Sequence, residues 1–222
     1  MFDRTTKDDY VVIFRATVAG EEVVHVRADA VRNRESLVRA AGSVLAESGL
    51  DVPVAAIADR AGVAKGTVFR HFASKDELVV TVVAGLIDDL AVRAEALLAE
   101  PDALSALRAF VAAGVELQAR DLAFCQMAAT AEQQVPGLTD RRRRLEQIAD
   151  LLVRRAQDAG VVRADLTGRD VVGLMTAAYQ GACATGDPSR WPYFLSLLVD
   201  GLRPTDRRRP AARRTSCDVT VG

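Results

Sequence analysis

Four cations stand in one stretch of this chain with no acid among them. The segment "VAAIADRAGVAKGTVFRHFASKDEL", residues 54–78, carries Arg60, Lys65, Arg70 and Lys75 and no carboxylate between Asp59 and Asp76. Side chains of this kind bind phosphate by displacing its condensed counterions, and a carboxylate in their midst would only be repelled. Other chemistries find little material. His25 and His71 are the only histidines, and no G-x-S-x-G, H-E-x-x-H or H-x-E with C-x-x-C is present, so no enzyme activity, cofactor or metal ion is expected. "GVAKGT" has its lysine ahead of the second glycine and no strand leading into it, which argues against a nucleotide phosphate loop.

The chain as a whole does not share this local bias. Its 29 Lys and Arg against 30 Asp and Glu leave a net charge of −1 over 222 residues, so affinity for nucleic acid has to come from clustering. That length fits a small domain joined to a larger one. Cys125, Cys183 and Cys217 are odd in number, far apart and without zinc spacing, as reduced thiols of a cytoplasmic protein would be. "LVVTVVAGLI", residues 78–87, lies between acidic pairs and is about half the roughly 20 residues a membrane span needs, so it reads as a buried helix. No export signal is visible at the N-terminus, and no membrane partner is expected.

The elements that must present the cations follow from hydrophobic spacing. Leu37, Ala41, Val44 and Leu45 fall at i, i+4, i+7 and i+8 on a helix that stops at Gly49. Pro53 suits the first turn of a short second helix that points Ile57, Ala58 and Ala61 inward and ends at Gly62, which supplies the left-handed turn. A third helix, Lys65 to about His71, turns Val68 and Phe72 inward and leaves Lys65, Thr67, Phe69, Arg70 and His71 outward. A small residue at Ala58, Gly62 in the turn, and buried Val63 and Val68 meet the demands of a helix-turn-helix over about 53–72, whose second helix enters the major groove. Ser74 and Glu77 form a capping box for a long fourth helix reaching roughly Glu100, where Pro101 breaks it.

Beyond Pro101 the pattern stays helical, giving an all-α chain of about nine helices punctuated by Gly and Pro. The divisions are an atypical N-terminal extension over 1–27, a helix-turn-helix head over 31–90, a larger helical body over 91–204, and a disordered basic tail over 205–222. Within the extension, "YVVIFRAT" and "EEVVHV" are β-branched runs suited to a small hairpin. Valine codons can start translation in bacteria, so a native start near Val24 or Val26, visible in the intact mass, is a further expectation.

The run "AIADRAGVAKGTVFRHFASKDEL" closely resembles the DNA-binding motif of the TetR family of bacterial regulators, and "NRESLVRAAGSVLAESG" resembles that family's first helix. Farther on, "DLTGRDVVGLMTAAYQGACATGDPSRWPYFLSLLVDGLRP" resembles the ligand-binding half of the subgroup with SbtR-like C-terminal domains. The resemblance implies a homodimer that binds a palindromic double-stranded DNA operator, acts as a transcriptional repressor, and is released by a small-molecule effector. By matching positions, Lys65, Gly66, Thr67, Phe69, Arg70 and His71 would lie on or near DNA, with Lys75 on a phosphate beside the amides of the fourth helix. Two residues depart from the family pattern: Phe69 stands where an aromatic hydroxyl is usual, and Ala64 where a capping serine is common. Arg32 and Arg34 would supply a basic arm ahead of the head.

In that family the effector sits among the middle helices of the body. Phe110, Phe124, Met127, Leu152, Met175 and Tyr179 are the candidates for its wall, because Met and aromatic side chains suit apolar ligands. For the two-fold interface, Ala177, Ala178, Gly181 and Ala182 permit close helix approach, and Trp191, Phe194, Leu195 and Leu198 form an apolar stripe. Arg141–Arg144 would open a long helix as a solvated cationic face in search of acidic partners. The alternative function is a helical protein-interaction module whose basic hairpin never meets DNA.

Overall fold

The computed structural model describes residues 20–129, 135 and 137–204, with side chains from residue 32 onward. Among these residues the chain forms nine α-helices and no strand. They are α1 (Gly20–Ser48), α2 (Val54–Ala61), α3 (Lys65–His71), α4 (Lys75–Leu97), α5 (Ala103–Arg120), α6 (Leu122–Ala129), α7 (Thr139–Asp158), α8 (Gly168–Ala184) and α9 (Trp191–Gly201), with a 3-10 turn at Pro188–Arg190. No helix among them is long and apolar enough to cross a membrane.

One expectation fails at the start. Residues 21–26, "EEVVHV", are part of α1 and not of a hairpin. Acids in its first turn and the lack of any Gly or Pro between Glu21 and Ala41 let the helix run on, and continuity outweighs the β-preference of three valines. The other expected strand, "YVVIFRAT", and the basic tail over 205–222 lie outside the described residues.

The backbone divides into two compact units. The first comprises the described residues up to Leu45 together with Asp51–Val82. Its core is Leu37, Ala41, Val44 and Leu45 from α1, Ile57 and Ala58 from α2, Val68 of α3 with Phe72, and Leu78, Val79 and Val82 from α4. Val68 and Phe72 are one helical turn apart and almost fully buried, each stabilising the unit by about 1.5–3 kcal/mol through lost apolar surface. Ala61 and Val63 were expected inside but are only half-buried. They flank Gly62 in a connection that lies, like most short loops, at the surface.

The second unit comprises Ala46–Leu50 and the described residues from Val83 on. Here α8 packs against α5, α7 and α9. Phe110, Val111 and Val115 of α5, Leu152 and Ala156 of α7, and Val171, Ala178 and Ala182 of α8 are buried. The entry to α8 is fixed by a capping box in which Thr167 and Asp170 bind each other's backbone N–H, while the N–H of Gly168 donates to Asp150 Oδ1 at 2.5 Å. Gly168 touches the backbone of α7 so closely that a Cβ would collide with the amide of Asp150 and the carbonyl of Glu146. α4 ends at Leu97, a turn earlier than Pro101 suggests; the Leu97 carbonyl accepts the Glu100 N–H at 3.1 Å, and Arg155 of α7 donates to the carbonyls of both Leu97 and Glu100.

Candidate functional site

The junction of α2 and α3 is built from local rules. Gly62 adopts φ +69°, the left-handed conformation that a Cβ would strain, and its N–H donates to the Asp59 carbonyl at 3.1 Å while that of Val63 donates to Ala58 at 3.0 Å. Ala64 has extended N-cap geometry, φ −68° and ψ 146°, but no side-chain oxygen to cap with. The N–H of Phe72 bonds back to Val68, closing α3 after seven residues.

On this short helix the anchors and the chemistry separate cleanly. Lys65, Gly66 and Arg70 are exposed, Phe69 keeps 45 % of its surface, and Thr67 and His71 are half-buried. The Lys65 ammonium stands 6.0 Å from the centre of the Phe69 ring, so the aromatic that replaces a hydroxyl here carries a cation over its face. Gly66 has helical geometry, and a Cβ placed on it would meet nothing within 4 Å. Lys75 is half-buried at the first position of α4, where Ser74 Oγ accepts from the Glu77 N–H at 3.1 Å. The Glu77 carboxylate returns to the N–H of Ala73, one residue before the expected partner. Arg34 belongs to α1 and lies 4.7 Å over the Phe72 ring, which fixes it to the unit's core.

In the second unit a cavity of about 260 Å³ opens between α4, α5, α6, α7 and α8. Of the residues expected in its wall, Phe124, Met127 and Met175 are there. Phe110 and Leu152 are instead close-packed core, and half-buried Tyr179 does not reach the cavity. Residue type gave no means of deciding which face of a helix meets a void. Gly114 makes room for Met175, whose sulfur would collide with any Cβ there. Sequence reasoning missed Gln118 and Arg142, which also line the cavity. A signal for Gln118 existed: it continues the apolar stripe Leu107, Val111 and Gly114 at helical spacing, where a polar residue is out of place.

The four arginines that open α7 divide their tasks. Arg141 pairs with Asp88 at 2.8 Å, Arg143 with Asp140 at 2.8 Å and Arg144 with Glu95 at 2.9 Å, so the expected acidic partners of two of them lie on α4. Near α6, burial pushes the Asp121 carboxyl above its ordinary range, against a bond at 2.8 Å from the Phe124 N–H. Cys125 is a buried free thiol, likewise raised by burial, and Cys183 is free and half-buried. No group of three or more metal-ligating side chains occurs among the described residues.

The expected self-association surface is partly spent inside the protomer. Ala178, Ala182 and Leu195 are buried there, and Gly181 lies against the Phe194 ring, 3.0 Å from where its Cβ would stand. Trp191, Phe194 and Leu198 are half-buried, Ala177 is exposed, and the most open apolar side chains of α9 are two the sequence did not single out, Tyr193 and Leu197, at 52 % and 51 %.

Comparison with known proteins adds the family. Residues 37–82 match the model for bacterial regulatory proteins of the tetR family, and residues 102–204 match the C-terminal domain of SbtR-like transcriptional regulators. A TetR transcription regulatory protein from Mycobacterium vanbaalenii is 31 % identical over 80 % of this chain and 99 % of its own, with a TM-score of 0.55. A TetR transcriptional regulator from Streptomyces coelicolor is 26 % identical over 78 % and 99 %, with a TM-score of 0.58. The transcriptional regulator FadR from Bacillus subtilis, solved in complex with stearoyl-CoA, shares the fold at 21 % identity over 76 % and 99 %, with a TM-score of 0.59.

Proposed function

This chain belongs to the TetR family of bacterial regulatory proteins, and we propose that, as a DNA-binding transcriptional regulator, it works as a homodimeric repressor of a palindromic operator, released by a small molecule. The observation that carries this reading is the outward face of α3. Val68 and Phe72 take the helix's apolar side into the core, and the side left to solvent offers Lys65, Arg70 and the Phe69 ring with no carboxylate among them. Such a face suits the major groove, where a cation or ring reads base edges while neighbouring cations hold phosphates.

Lys65, Gly66, Thr67, Phe69, Arg70 and His71 are assigned to the groove and Lys75 to a flanking phosphate. Tyr193 and Leu197, with Trp191, Phe194 and Leu198, are assigned to the two-fold contact, in which one patch meets its own copy. The cavity in the second unit is assigned to the effector, whose differential affinity for one of two states of the dimer sets operator occupancy. Selection of bound sequences from a random duplex pool tests the whole. The expected product is an inverted repeat with half-sites about 34–36 Å apart or a multiple of that. A pool that yields no enriched sequence, even at low ionic strength, overturns the reading in favour of a protein-interaction module.

A further inference from the structure

The cavity of the second unit is apolar almost throughout, with Val83, Leu90, Met127, Leu145 and Met175 in its wall, but it contains one polar group that is unpaired among the described residues. Gln118 is only 3 % exposed, and its Oε1 has no hydrogen-bond partner among the described residues. Its Nε2 faces the Gly114 carbonyl one turn back, at 3.5 Å. Turning the amide over would set oxygen against oxygen, so the carbonyl end is the one left open. A buried acceptor without a donor is costly to keep, which makes it an exception to be explained.

The second polar feature is Arg142. Its three neighbours in the arginine run each hold a carboxylate, whereas Arg142 is half-buried, lines the cavity, and pairs with no carboxylate among the described residues. One cavity therefore combines an apolar wall, an acceptor in need of a donor, and a guanidinium suited to a carboxylate.

We propose that the cavity takes a hydroxylated carboxylic acid with an apolar chain, its hydroxyl donating to Gln118 Oε1 and its carboxylate held by Arg142. This rests on the reading of the cavity as the effector site, and it adds the chemistry of the effector. The apolar chain fills the space between α4, α6 and α8, and the two polar ends fix its orientation.

Calorimetric titration of the full chain with decanoate, 3-hydroxydecanoate, 10-hydroxydecanoate and the methyl esters of the two hydroxy acids tests the assignment. The two hydroxyl positions cover a short and a long separation from the carboxylate. At least one hydroxy acid is expected to bind about tenfold or more tightly than decanoate, the effect of one well-made buried hydrogen bond, and more tightly than its own ester. Gln118→Leu should erase the preference for the hydroxyl, and Arg142→Gln the preference for acid over ester. Because Gln118→Leu removes an unpaired polar atom, its thermal midpoint should equal or exceed the parent's, and Gln118→Met gives the same comparison with a more adaptable side chain. Equal binding of hydroxy acids and decanoate, absence of binding by all of them, or a hydroxyl preference that survives in both Gln118 variants overturns the proposal. Operator binding by the parent without any added acid is scored separately. A chain that binds its selected duplex but shows no hydroxyl preference loses this ligand class and keeps the regulator reading, and the converse result does the opposite.

Discussion

Gly66 is a glycine whose presence the fold does not explain. It sits inside α3 with helical geometry and open space where a Cβ would go, so alanine there should be easier to fold by about 0.5–1 kcal/mol. A glycine that the protein does not need fits a backbone that something else must approach. Gly66→Ala is accordingly expected to raise stability in urea titration while weakening binding to the selected duplex, and unchanged binding would remove Gly66 from the interface. Asp121 poses a second residue-scale question, because it is buried yet serves the N-terminus of α6 through the Phe124 N–H. Burial raises its folded value above the unfolded one of about 3.9. The folded chain then holds the proton longer, so stability present at lower pH is lost as pH rises from about 4 through the folded value. Asp121→Asn keeps a capping oxygen without the charge. It should unfold at a higher temperature than the parent at pH 7, with the gap closing at pH 3.

Two glycines of α8 separate close packing from simple helix preference. Gly168 touches the backbone of α7, and backbone cannot yield as a flexible side chain can. Gly173 has open space around it on the same helix. Gly168→Ala should cost about 1–3 kcal/mol or more by overpacking, and Gly173→Ala should gain about 0.5–1 kcal/mol, both read by urea unfolding. The elements themselves were largely legible in the sequence where their signals were local. Gly62, Pro53 and the pair Val68 and Phe72 mark α2 and α3 to within a residue, with Pro53 at the N-cap and not in the first turn, since each acts within one turn of chain. The start of α1 was not legible. A run of valines reads as strand only if the chain stops on either side of it, and nothing after Gly20 stops it.

For the molecule as a whole, a net charge of −1 means that any attraction to DNA is local and has to be read as a salt slope. Lys75→Ala should lower the slope of log affinity against log salt by about one, to a similar extent on operator and scrambled duplex, as the loss of one phosphate contact does. A larger loss confined to the operator would instead make Lys75 a reader of sequence. The candidate groove-facing side was legible because it follows from one short helix, whereas the cavity depends on how five helices lie against one another. Hence Phe124, Met127 and Met175 line the cavity while Phe110, Leu152 and Tyr179 do not, a difference their residue types do not reveal. The same packing gives α6 two employments. Its eight residues turn Phe124 and Met127 to the cavity, and between them Gln126 Oε1 accepts the Leu50 N–H at 2.7 Å, just after Gly49 ends α1. A rod of two turns, about 12 Å long, is too short to bend within itself. A guest that displaces Met127 is therefore expected to disturb the Gln126–Leu50 bond as well, which faster hydrogen exchange at the Leu50 N–H on ligand binding would show.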